Sequence, residues 1–163
     1  MFKNILVPLD GSALAATILP EVEDLAKSHM AEVTLLTVSN IPSSAIMAEA
    51  GTIIDPILKW RKTTAEEYLE ETARELTDKG LKVKWAYRDG VPAREVIRYA
   101  DEACCDLIAM ATHGRGEIAW VLGSVAEQVV SHATVPVLLM RVMKSKPLLR
   151  KEEIAVSQQS VHS

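Results

Sequence analysis

A glycine-bearing run, Thr112-His113-Gly114-Arg115-Gly116, follows the apolar stretch Leu107-Ile108-Ala109-Met110-Ala111, and Gly123-Ser124-Val125-Ala126-Glu127 then opens an amphipathic segment. That order reads as a strand, a loop and the start of a helix. A loop and a helix N-terminus both present backbone N–H groups without partners, and the helix dipole adds partial positive charge, so the segment is suited to hold an anion. Phosphate is the expected anion. Gly114 and Gly116 allow the backbone to turn with positive φ and to approach a ligand with no Cβ in the way, and Gly123 offers the same freedom at the helix mouth. The Ser124 hydroxyl can bind phosphate oxygens, or it can cap the helix while Glu127, three residues on, reaches back. His113 can donate to a phosphate, but no nucleophile and carboxylate surround it in a recognisable arrangement, so loop packing is an equal reading. Asp10, in Val7-Pro8-Leu9-Asp10-Gly11-Ser12, ends another apolar run just ahead of a helix. A carboxylate there can accept from a ribose hydroxyl or a base, assist a metal-bound phosphate, or hold the turn itself.

Other chemistries fit less well. Gly114-x-Gly116-x-x-Ala119 matches a loose dinucleotide fingerprint, but it does not follow the first strand, and the position for a ribose-binding acid falls in the apolar run around Leu138. No G-x-x-x-x-G-K-[ST] occurs. His29, His132 and His162 are scattered and Cys104-Cys105 lacks metal-ligand spacing, so no zinc site is expected. Adjacent cysteines bridge only with strain; they are expected to close the third helix against the core. Trp60, Trp85 and Trp120 are read as packing anchors, with Trp120 set inside the suspected anion loop.

The elements that must position these residues follow from periodicity. Ile5–Leu9, Val33–Val38, Leu107–Ala111 and Val135–Met140 are nearly continuous apolar runs, as strands covered on both faces require, whereas Lys82–Tyr87 alternates as an edge strand does. Between them, Leu14/Ile18/Val22/Leu25, Ala65/Tyr68/Leu69/Ala73/Leu76, Ala93/Val96/Ile97/Ala100 and Val121/Val125/Val129/Val130 recur at helical spacing. Ser12 is placed to cap the first helix, Thr64 and Glu67 form a capping-box pair for the second, Lys79-Gly80 ends it, and Pro92 suits a first helical turn. Pro20 is expected to bend the first helix. Alternating strands and helices with right-handed crossovers give an α/β fold: a single doubly wound domain with a five-stranded, mostly parallel sheet in the order 3-2-1-4-5, helices on both faces, and a ligand crevice outside the carboxyl ends of its central strands. Asp10 and the Thr112–Ser124 segment fall there.

The chain has 163 residues, 48% of them hydrophobic, which suffices for one well-buried core. Residues 1–142 are read as one domain, 39–62 as a flap or insertion that is partly helical, and 143–163 as a tail. A net charge of −4 and a pI near 5.6 give no broad basic field, so nucleic acid is not an expected partner. The tail cations Lys144, Lys146, Arg150 and Lys151 are interrupted by Pro147 and answered by Glu152 and Glu153. No apolar run approaches the roughly 18 residues that span a bilayer, and the N-terminus lacks a signal-peptide pattern, so membrane insertion is not expected and a cytoplasmic location is.

Taken together, Ile5-Leu6-Val7-Pro8-Leu9-Asp10-Gly11-Ser12, Ala111-Thr112-His113-Gly114-Arg115-Gly116, Leu122-Gly123-Ser124-Val125-Ala126-Glu127 and Val135-Pro136-Val137-Leu138 resemble the universal stress protein family over about residues 1–142. The resemblance implies binding of an adenine nucleotide, ATP or else ADP or AMP, with the signature G-x2-G-x9-G-[ST] holding phosphates. Carried onto this chain, it implicates Asp10, Val38, Gly114, Gly123 and Ser124. With their neighbours, the nucleotide-binding set becomes Pro8, Leu9, Asp10, Val38, Met110, Ala111, His113, Gly114, Arg115, Gly116, Gly123, Ser124 and Val125, with Asp10 able to meet magnesium. Ala111 stands at the first signature glycine, eight residues rather than nine separate Gly114 from Gly123, and Glu117 replaces a frequent glycine. The resemblance further implies a homodimer through Val135–Val142, with nucleotide occupancy acting as a switch toward a protein partner. Binding rather than turnover is the expected function, because no base and nucleophile pair is evident; weak ATPase or self-phosphorylation is the minority reading. The rival expectation is a dimeric stress-linked interaction protein that binds no nucleotide.

Overall fold

The computed structural model describes residues 1–40, 51–113 and 122–142. Among them are five strands, β1 (Asn4–Pro8), β2 (Glu32–Ser39), β3 (Lys82–Asp89), β4 (Leu107–His113) and β5 (Val137–Val142), which form one parallel sheet in the order β3-β2-β1-β4-β5. Among the described residues four α-helices join them: α1 (Leu19–His29), preceded by a 3₁₀ turn (Ala15–Ile18), α2 (Gly51–Asp78), α3 (Pro92–Glu102) and α4 (Ser124–His132). The expected sheet order and fold class are those observed.

Each face of the sheet has its own core. Ile5, Val7, Val33 and Leu35 meet Val22 and Ala26 of α1 and Leu69, Ala73 and Leu76 of α2. Leu6, Leu36, Ile108 and Met110 meet Ala93, Val96 and Ala100 of α3 and Ala126 and Val129 of α4. Strand alternation explains the division, since neighbouring residues of β1 point to opposite faces and both faces are covered. Ile5, Leu6 and Val7 are wholly buried, each contributing about 1.5–3 kcal/mol. Edge strand β3 has no buried residue, as its place at the sheet edge predicts, but its exposure does not alternate: Trp85 is exposed beside Lys84, and Ala86, Tyr87 and Arg88 are all half-buried.

At the amino end of the sheet the backbone is closely tied. Asp106 accepts from the N–H groups of Lys3 (2.7 Å) and Asn4 (3.1 Å), while its own N–H donates to the Asn4 carbonyl at 2.9 Å. The Phe2 N–H donates to His29 Nδ1 at 2.9 Å. Helices α1, α2 and α3 all end in Schellman turns, with Met30 (φ 54), Gly80 (φ 90) and Cys104 (φ 49) in the left-handed position. Only one of these is glycine. Cys105, just beyond, is buried in the second core, and burial pushes its thiol up to about 11; Cys104 is exposed.

Several local expectations are corrected. Thr64 and Glu67 do not start a helix, because α2 already runs from Gly51 and carries Pro56 within it. Pro20 lies in the first turn of α1, where its missing N–H costs no helical bond and it has no helix interior to bend. Of the flap segment 39–62, residues 51–62 belong to α2, and 41–50 and the tail 143–163 lie outside the described residues. Trp60 is 68% exposed and Trp85 38%, so neither is a core anchor; Trp120 lies outside the described residues. For Trp60 the reason is length: α2 has 28 residues, about 42 Å, against about 26 Å for the eight-residue strands beneath it. Lys62 sits over the Tyr87 ring near the carboxyl end of β3, so the turns before it project past the sheet.

Candidate functional site

A cavity of about 770 Å³ opens at the carboxyl ends of β1, β2 and β4. Its described lining includes Pro8, Leu9 and Asp10 from the end of β1, Leu36 and Val38 from β2, Met110 and Ala111 from β4, and Gly123, Ser124 and Val125 from the start of α4. A doubly wound sheet places a crevice there because the connections from β1 leave toward one face and those from β4 toward the other. Of the expected site residues, Pro8, Leu9, Asp10, Val38, Met110, Ala111, Gly123, Ser124 and Val125 come together in this cavity. His113 is the last residue of β4, and Gly114, Arg115 and Gly116 lie outside the described residues.

The β1 side is held by a chain of short hydrogen bonds. Leu9 N–H donates to the Leu36 carbonyl at 2.8 Å, and the buried Thr37 hydroxyl donates to the Leu9 carbonyl at 2.9 Å. Ser12 N–H donates to Asp10 Oδ1 at 2.9 Å, and Ser12 Oγ accepts from Ala15 N–H at 3.0 Å. The Ser12 cap expected from sequence therefore serves the 3₁₀ turn. Gly11, at φ 79, permits the bend between them. Asp10 is exposed and is the one charged residue in the described lining.

The α4 side differs from expectation in two respects. Gly123 occupies the cap position with φ −59 and ψ 144, a conformation open to any residue, so positive φ is not its use. The cap also has no side-chain hydrogen bond: Ser124 is the first helical residue, one position too late for the capping box with Glu127. Without that cap, the first N–H groups of α4 and the Ser124 hydroxyl border the cavity. Ala111 lies within β4 and does not have positive φ, so the alanine departure from the signature leaves the strand backbone regular.

Two buried hydroxyls near this end, Tyr68 Oη and Thr112 Oγ1, have no hydrogen-bond partner among the described residues. Burial pushes the Tyr68 hydroxyl pKa above the ordinary phenol value, so it holds its proton more firmly, and the negative charges of Asp10 and Glu75 act in the same direction. Sequence reading missed Leu14, Ala15, Leu36, Pro92, Val96 and Ala126 as lining residues. The signal was available for two of them: Leu36 shares a strand face with Val38, and Pro92 opens a helix at the carboxyl edge. Among the described residues no cluster of three or more His, Cys, Asp or Glu is placed to hold a metal, and no helix is long and apolar enough to cross a membrane.

Comparison with known proteins gives a consistent picture. The universal stress protein MJ0531 of Methanocaldococcus jannaschii is 31% identical over 149 residues, covering 90% of this chain and 86% of that one. The solved structure of MJ0577, another universal stress protein of that organism, superposes with a TM-score of 0.77 at 29% identity, covering 89% of this chain and 99% of the other. A more distant structure, a universal stress protein from Archaeoglobus fulgidus in complex with dAMP, shares the fold at a TM-score of 0.58 and 19% identity, covering 85% and 97%. The profile of the Universal stress protein family matches residues 1–141, and the chain belongs to that family.

Proposed function

We propose that this chain binds an adenine nucleotide, ATP or its di- or monophosphate, in the cavity at the carboxyl ends of β1, β2 and β4. The observation that carries the reading is the convergence of Asp10, Val38, Met110, Gly123 and Ser124, drawn from four separate elements, on one mostly apolar cavity of about 770 Å³. Apolar walls from Leu36, Val38, Val96 and Met110 suit a purine ring. Asp10, with Oδ1 held by Ser12, has Oδ2 to accept from ribose hydroxyls. The uncapped start of α4, the Ser124 hydroxyl and the Gly114–Gly116 loop would hold the phosphates. Magnesium carried by the phosphates would find its carboxylate in Asp10. That a protein of the same fold is in complex with dAMP supports the choice of adenine nucleotide.

The role is regulatory binding: occupancy biases a dimer surface toward a protein partner. Strand β5 has β4 on one side and no other strand beside it among the described residues, and its Leu138 is 38% exposed, which supports a homodimer through Val135–Val142. The shortened Gly114-to-Gly123 spacer favours the second reading, a dimeric stress-linked interaction protein without nucleotide.

Mass spectrometry of small molecules released from gently purified protein, followed by calorimetric titration with Mg-ATP, ADP and AMP, separates the two. Wild type is expected to bind, and Gly123→Val, whose backbone tolerates the change, to bind at least about tenfold more weakly because the side chain fills the helix mouth. Protein that carries no nucleotide and takes up none at millimolar concentration would leave the second reading standing.

A further inference from the structure

Thr37 is one of two buried threonines of β2, with Thr34, and among the described residues its hydroxyl makes one hydrogen bond, the 2.9 Å donation to Leu9 O. The β1–β2 pairing ends at Pro8 opposite Leu36. One residue later, Leu9 is held at both polar atoms by successive residues of β2: its N–H by the Leu36 carbonyl, its carbonyl by Thr37. Because the peptide bond is planar, holding the Leu9 carbonyl restrains the Leu9–Asp10 peptide plane and with it the Asp10 N–Cα bond, leaving the φ and side-chain torsions of Asp10 to be set by its bond with Ser12. Asp10 Oδ1 then meets Ser12 N–H, and Oδ2 remains for a ligand. Alternation along β2 places Thr37 on the face opposite Leu36 and Val38, which line the cavity, so Thr37 itself does not reach the ligand.

We infer that Thr37 is a positioning residue for Asp10, setting through the Leu9 carbonyl how well that carboxylate engages the hydroxyls of a bound nucleoside. The ligand half of this inference rests on the nucleotide reading above; the Thr37–Asp10 half does not. The hydroxyl can be removed at nearly constant shape with Thr37→Val and retained with Thr37→Ser; Thr37→Ala brackets the change in volume, so a valine variant that misfolds leaves the hydroxyl comparison intact.

Two measurements decide it. Calorimetry with adenosine and with 2′,3′-dideoxyadenosine isolates the hydroxyl-dependent part of binding. Thr37→Val is expected to lose about fivefold in adenosine affinity, with dideoxyadenosine unchanged and Thr37→Ser close to wild type. Equal weakening of both nucleosides would mark a merely structural threonine and overturn the proposal. In ligand-free protein, hydrogen exchange at Ser12 N–H is expected to quicken about fivefold in Thr37→Val and Thr37→Ala but not in Thr37→Ser, because its acceptor is no longer held. Unchanged Ser12 exchange would overturn the positioning role whether or not nucleoside binds. If wild type does not distinguish the two nucleosides while Ser12 exchange responds as stated, the contact between Asp10 and the ribose hydroxyls fails and the link from Thr37 to Asp10 stands; if wild type binds neither nucleoside nor ATP, the nucleotide reading itself fails.

Discussion

The two ends of the sheet are built on opposite terms. At the amino end, three helices terminate in Schellman turns, Asp106 takes up the N–H groups of Lys3 and Asn4, and His29 takes up that of Phe2. At the carboxyl end, α3 and α4 begin without a side-chain cap, Tyr68 and Thr112 bury hydroxyls without partners among the described residues, and a cavity opens between the strand ends and the first turn of α4. Unmet donors and acceptors cost stability, and they are also what a ligand can satisfy. One end is closed for strength while the other keeps its polar groups in reserve, and the two should respond separately to mutation.

The sharpest way to break this division is Asp106→Ala. Loss of two hydrogen bonds to the start of β1 should destabilise the fold by about 2–3 kcal/mol in urea unfolding, with nucleotide affinity unchanged within about twofold. Coupled losses of stability and binding would show that the ends are not independent. Cys105→Val addresses the same end through pH. The native thiol, raised to about 11 by burial, holds its proton more firmly than the unfolded one. Its contribution is therefore complete below the unfolded thiol pKa near 9 and lost as pH rises through about 11. Wild type should lose about 2 kcal/mol more than the variant between pH 8 and 11, and parallel stability profiles would refute this. The smallest effect has the opposite sign. Met30 is 82% exposed and left-handed, so Met30→Gly should raise stability by about 0.5–1 kcal/mol, measurable as a higher Tm, without any change at the cavity.

What sequence revealed follows the same boundary between local and non-local causes. Strand order and the site's location were legible because apolar runs, helical spacing and the crossover rule act on short stretches. Gly80 and Pro92 were legible as helix punctuation for the same reason. The ends of α1 and α3 were not, since Met30 and Cys104 occupy a position normally marked by glycine. Thr64 and Glu67 misled because a capping-box pattern has no force inside a helix already under way. Thr37 was invisible: its partner lies 28 residues away, and a threonine in a strand carries no mark of the bond it makes. Trp60 was misjudged because composition says nothing of how far a helix outruns its sheet.

The parallel sheet has a further consequence during synthesis. Central strand β1 pairs with β4, Ile5 opposite Leu107, across about a hundred residues of chain. At translation rates of about 5–20 residues per second, Ile5, Leu6 and Val7 wait on the order of 5–20 s on the ribosome with one flank unpaired. A strand whose Ile5, Leu6 and Val7 are wholly buried in the finished protein is thus the first made and must wait for its second neighbour.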